Sequence, residues 1–137
     1  MKTVSTLISG SDEELLSFGD FSQSEKKKYT DFDYRGDLYY VKTCQEITKL
    51  EKNGLFEYES VPGTSVFGYD SGVDYKAFEV TGQGNTQIVL AVEDGAEYTP
   101  YINGELADET DVDISGKFCL NVILDPEVPV LIELEKR

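Results

Sequence analysis

Strict alternation of apolar and polar residues governs what this chain can become. In Lys117-Phe118-Cys119-Leu120-Asn121-Val122-Ile123-Leu124 the apolar residues 118, 120, 122 and 124 fall on one side, the period of a half-buried strand. Val130, Ile132 and Leu134 repeat the pattern against Glu133 and Glu135, as do Ile88, Leu90 and Val92, and Phe78 and Val80 against Glu79 and Thr81. Tyr98, Pro100 and Ile102 form a fifth set, in which Pro100 lacks an N–H and implies an edge strand or a bulge. Turn signals separate these runs: Gly82-Gln83-Gly84-Asn85, Glu93-Asp94-Gly95, Asn103-Gly104, Ser115-Gly116 and Asp125-Pro126. Short strands at this spacing predict a mostly antiparallel β-sandwich over residues 61–137.

The N-terminal half is less regular. Leu15 to Phe21, Lys28 to Tyr34, Asp37 to Thr43 and Leu55 to Tyr58 favour strands by β-branched and aromatic content. Asn53-Gly54 predicts a hairpin joining Ile47–Lys52 to Leu55–Ser60. Cys44 to Lys52 also fits a short helix through Ile47 and Leu50, with strand preferred. Residues 1–60 are thus expected to be a sheet-rich segment packed on the C-terminal sandwich, with the seam at Pro62-Gly63. The expected class is all-β.

The chain has 137 residues, no histidine, no tryptophan and only two arginines, Arg35 and Arg137. Missing histidine removes the usual general base near neutral pH and the commonest metal ligand. Residues 1–52 carry 8 basic and 10 acidic residues, and residues 53–137 carry 4 and 17, out of a net charge of −15. So acidic a surface repels phosphate, which argues against nucleic acid and anionic membranes as partners. Lys26-Lys27-Lys28 is the one basic cluster and reads as a solvated loop or strand edge, where lysine discourages strand pairing. The first ten residues lack a signal-peptide pattern, and no apolar run reaches the roughly 18 residues of a membrane span. Cys44 and Cys119 are therefore expected as reduced thiols in the cytoplasm.

Asp37-Leu38-Tyr39-Tyr40-Val41-Lys42-Thr43, Glu46-Ile47-Thr48-Lys49-Leu50-Glu51-Lys52-Asn53-Gly54 and Tyr58-Glu59-Ser60-Val61-Pro62-Gly63-Thr64 carry a resemblance. With Thr86-Gln87-Ile88, Glu97-Tyr98, Gly104 and Ser115-Gly116-Lys117 in the same order, the chain resembles a family of small proteins from gut clostridia. Members of that family sometimes carry the label endosialidase. The resemblance implies β structure and a bacterial setting. The label conflicts with the chemistry, because clamping a sialic acid carboxylate commonly takes an arginine triad and two arginines cannot supply one.

Asp111-Val112-Asp113-Ile114-Ser115-Gly116 copies the first half of a calcium loop, with Asp111, Asp113 and Ser115 as the candidate ligands. Position twelve, normally a bidentate Glu, is Val122, so the plainer reading is a hairpin turn after exposed acids. No other cofactor is expected. Arg35-Gly36-Asp37 reads as a turn between strands rather than as an adhesion motif. Cys119 lacks a histidine to activate it and reads as an inert thiol.

Seven of the 16 aromatics lie between Phe18 and Tyr40. Tyr29, Tyr34, Tyr39 and Tyr40 are the candidate glycan or partner surface, against the plainer reading that the cluster packs the N-terminal sheet onto the C-terminal sandwich or onto a partner chain. The function expected is a non-enzymatic binding or structural module, such as part of a bacterial or prophage assembly, with a protein partner or self-association. A carbohydrate-binding accessory module is the alternative, and a glycoside hydrolase using paired carboxylates comes third.

Overall fold

The computed structural model describes residues 1–107, the backbone of 112–113, and residues 116–137. It is all-β: two antiparallel sheets packed face to face, with no helix among the described residues. The strands are β1 (Ile8–Ser9), β2 (Leu16–Phe18), β3 (Lys27–Tyr34), β4 (Asp37–Thr43), β5 (Thr48–Lys52), β6 (Leu55–Val61) and β7 (Ser65–Ser71). There follow β8 (Tyr75–Thr81), β9 (Gly84–Ala91), β10 (Tyr98–Ile102), β11 (Glu105–Leu106), β12 (Val112–Asp113), β13 (Lys117–Leu124) and β14 (Val130–Lys136). The first sheet runs β1-β2-β7-β8-β14-β10-β11 and the second β12-β13-β9-β6-β5-β4-β3. Strands from residues 1–60 and from 61–137 are hydrogen-bonded within both sheets, β2 to β7 in the first and β6 to β9 in the second.

Alternation sets the core. Phe118, Leu120, Val122 and Leu124 of β13 are buried, as are Ile132 and Leu134 of β14 and Ile88 and Leu90 of β9. Tyr58 of the second sheet is fully buried and meets Phe18 and Phe78 of the first edge-to-face, at 5.1 and 5.9 Å between ring centroids. Such pairs add about 0.5–1.5 kcal/mol each beyond the area they bury. The expected Asn53-Gly54 hairpin is present, and Arg35-Gly36 and Asn103-Gly104 make the same two-residue turn, each with positive φ at both positions. Pro100 pairs with Leu134 on β14, and on its other side its carbonyl accepts the Ala107 N–H at 2.9 Å just past two-residue β11, so its missing N–H falls at the end of the sheet's edge.

One strip of the core is polar and internally satisfied. Thr48 Oγ1 donates to the Thr64 carbonyl (2.9 Å) and accepts from the Thr64 N–H (3.0 Å). Thr43 Oγ1 lies 2.8 Å from Thr48 Oγ1 and accepts the Asp20 N–H at 2.9 Å. The Tyr58 and Ser60 hydroxyls both lie 2.7 Å from Thr64 Oγ1. Leaving any of these groups unpaired costs about 1–3 kcal/mol.

Asp20 is 2% exposed and accepts hydrogen bonds from the Ser22 N–H (3.0 Å), the Ser22 hydroxyl (2.5 Å) and Gln23 Nε2 (2.9 Å). Burial acts to raise its pKa, but bonds from Ser22, Gln23 and Thr3 outweigh it and hold the carboxyl below the ordinary 3.8. The folded state therefore binds this proton less readily than the unfolded chain. The resulting stability is complete above the unfolded pKa, about 3.9, and is lost as pH falls through the folded one. Asp20→Asn should lower stability by about 1.5–3 kcal/mol at pH 7. Urea unfolding should find that gap closing between about pH 5 and pH 2; a gap independent of pH would contradict this account of Asp20.

Candidate functional site

The expected tyrosine surface divides. On β4, alternation sends Tyr39 inward with Val41 and sends Tyr40 to the outer face of the second sheet with Leu38. Tyr34 and Tyr39 are both 8% exposed and meet edge-to-face at 5.9 Å. Tyr40 lines a shallow hollow with Leu38, Glu51 and Asn53 on the other side of the sheet. Tyr29 lies farther along β3, 45% exposed, with its ring 5.7 Å from that of Phe32. Two of the four residues, Tyr34 and Tyr39, line one cleft.

That cleft, of about 180 Å³, opens at the end of the sandwich where the β3–β4, β5–β6 and β7–β8 turns gather. Leu16, Tyr34, Tyr39, Glu57 and Tyr69 line it, with Arg35, Asp37, Lys52 and Asp70 also contributing. Its floor rests on residues that the sequence pattern conceals. On β6, Leu50 faces Tyr58 and Glu51 faces Phe56, which leaves Glu57 as an extra residue in a bulge. On β7 the register slips between Phe67 and Asp70, with Gly68 at φ 63°. Both Val66 and Tyr69 are buried there, although they lie three residues apart. Bulges re-aim side chains in this way. Here they bring Glu57 and Tyr69 together from opposite sheets. Lys76 needs no bulge, because it shares the inner face of β8 with Phe78 and Val80.

The Tyr69 hydroxyl donates to Glu57 Oε2 at 2.5 Å, and Lys76 Nζ donates to the same oxygen at 2.7 Å. Lys76 also donates to Ser71 Oγ at 2.8 Å and lies 3.3 Å from the Tyr69 hydroxyl. The side chains of Lys76 and Glu57 are 11% and 12% exposed, so the ion pair is largely withdrawn from water. Burial, then the Glu57 charge, raises the Tyr69 pKa well above 10. Burial and the nearby Glu57 and Asp37 charges push Tyr39 up to about 12. Both phenols are protonated donors at neutral pH. Asp37 is held below the usual carboxylate pKa by Asn53 and then Lys52.

The hydroxyls of Tyr34 and Tyr39 and Glu57 Oε1 are among the polar atoms at this cleft that have no hydrogen-bond partner among the described residues. The Arg35 guanidinium lies 4.8 Å from the Tyr34 ring centroid and donates to the Ser11 carbonyl at 3.1 Å. A second hollow of about 190 Å³, lined by Tyr75, Lys76, Glu93 and Tyr98, shares Glu57 as a wall.

Of the expected calcium ligands, Asp111 and Ser115 lie outside the described residues, and of Asp113 only the backbone, paired with Lys117, is described. No other group of three metal-ligating side chains occurs among the described residues. Cys44 is buried, Cys119 half-buried, and no disulfide joins them. No family model, curated protein or solved structure matches this chain.

Proposed function

We propose that this protein is a non-enzymatic binding module that seats a neutral carbohydrate unit in the cleft at the end of the sandwich. One observation carries the reading: two tyrosines more than nine-tenths buried and one carboxylate oxygen border the cleft with their hydrogen-bonding capacity unused. Among the described residues the one buried side-chain polar atom without a partner is Ser65 Oγ, so these three atoms reach the open cleft, where a ligand's hydroxyls can take the place of water. A tyrosine hydroxyl both donates and accepts, and a carboxylate oxygen accepts only. Vicinal sugar hydroxyls, which also do both, match that set. Lys76 already balances the Glu57 charge, which favours a neutral ligand over an anion.

Asp37 is held ionised, so it does not supply the protonated acid that a glycosidase needs. A structural role in a bacterial or prophage assembly is the second reading, favoured by the eight-residue edge strand β3.

A glycan array tests the proposal. Binding to a subset of neutral glycans is expected, weakened about threefold to tenfold by Tyr39→Phe, which removes one hydroxyl. Binding to none, or only to sialylated or phosphorylated glycans, overturns it.

A further inference from the structure

The second sheet ends on a long free edge. Three of the four sheet edges among the described residues, β1, β11 and β12, are two residues long, while β3 has eight. An edge strand offers a row of unpaired N–H and C=O groups to any other strand, and lysines and bulges are the usual protection. β3 has both: Lys27 and Lys28, and an extra residue at Thr30-Asp31, where Asp31 has φ 55°.

The bulge also decides which side chains share a face. Tyr29 lies opposite buried Val41 and Phe32 opposite buried Tyr39, so both face inward. Lys28 lies opposite Lys42 and Asp33 opposite Leu38, so both face outward. In a regular strand, residues five apart lie on opposite faces. The bulge brings Lys28 and Asp33 to the same one.

We propose that β3 pairs antiparallel with β3 of a second copy of this chain, about a two-fold axis passing between Thr30 and Asp31. In that register Lys28 stands opposite Asp33 of the second copy and Tyr29 opposite Phe32 of the second copy. Faces match at each of these positions, and the charge pattern is self-complementary, as a two-fold interface requires. Shifting the register by one residue puts Lys28 opposite inward-facing Phe32 and breaks the match. The lysines therefore repel a generic strand's approach and admit this one. Tyr29, half-exposed in the single chain, gains cover from aromatics at the axis. This inference is independent of the carbohydrate cleft.

Sedimentation velocity over a concentration series tests it, with circular dichroism confirming that each variant is folded. A dimer is expected for the natural sequence. Lys28→Glu and Asp33→Lys, both at exposed positions, should each weaken it on the order of tenfold or more, since each turns two attractive pairs repulsive. Asp33→Lys makes the chain less negative, so loss of the dimer there is not general repulsion. The double variant should restore self-pairing, and an equimolar mixture of the two single variants should form the mixed dimer. A natural chain that stays monomeric to about 1 mM overturns the proposal. So does a dimer indifferent to both reversals, or a double variant that does not recover.

Discussion

Gly63→Ala is expected to lower the melting temperature by about 10–20 °C, the consequence of losing about 3 kcal/mol or more in a domain of this size. A Cβ at Gly63 would fall on the carbonyl oxygen of Cys44, far inside van der Waals contact, with the Gln45 carbonyl oxygen 3.3 Å away. Both obstacles are backbone. The Gly63 N–H also donates to the Gln45 carbonyl at 2.9 Å, so the segment cannot retreat without losing that bond. Its neighbour Thr64 is the hub of the buried hydroxyl strip, and a shift there strains Thr48, Tyr58 and Ser60 together. Gly54→Ala is the control. Its Cβ meets nothing within 4 Å, and only the strain of its positive φ is incurred, about 1 kcal/mol. Thermal melts should separate the two clearly; equal effects would mean that the close approach at Gly63 is relieved at little cost.

Lys76→Met is expected to cost about 3–5 kcal/mol, because it leaves the Glu57 carboxylate largely buried without its counter-ion. Tyr69 still donates to Glu57, but one neutral hydrogen bond does not offset a buried charge. Replacing both partners is different in kind. Lys76→Met with Glu57→Gln should be much less destabilised than the sum of the single changes, because no unpaired charge remains. Denaturant titrations of the four proteins give the coupling directly. A single Lys76→Met within about 0.5 kcal/mol of the natural protein, the size of an ordinary surface change, would contradict the buried-pair account.

The fold was legible wherever strands keep strict alternation. Lys117–Leu124 emerges with the bounds its alternation predicts, Asp37–Thr43 with those its β-branched and aromatic content predicts, and the Asn53-Gly54 hairpin stands where its turn residues place it. β7 was not legible, because the Gly68 bulge breaks the period in the strand that carries Tyr69. For the same reason Glu57, next to inward-facing Tyr58, reads as solvent-facing until the bulge on β6 is known. Lys76 was within reach: extending the Phe78 and Val80 alternation one step places it inside. Tyr39 and Tyr40 were grouped by composition, although adjacent residues of one strand face opposite ways. Long-range pairing and bulges decide such a site, and neither leaves a local mark.

Nuclear magnetic resonance titration of the isotopically labelled protein with a neutral glycan selected on the array tests the central claim most directly. The account predicts saturable shifts concentrated at Tyr34, Tyr39, Lys52, Glu57 and Tyr69, all diminished in Tyr39→Phe. Shifts confined to the outer faces of the sheets, or no saturable shift with any neutral glycan, would contradict it.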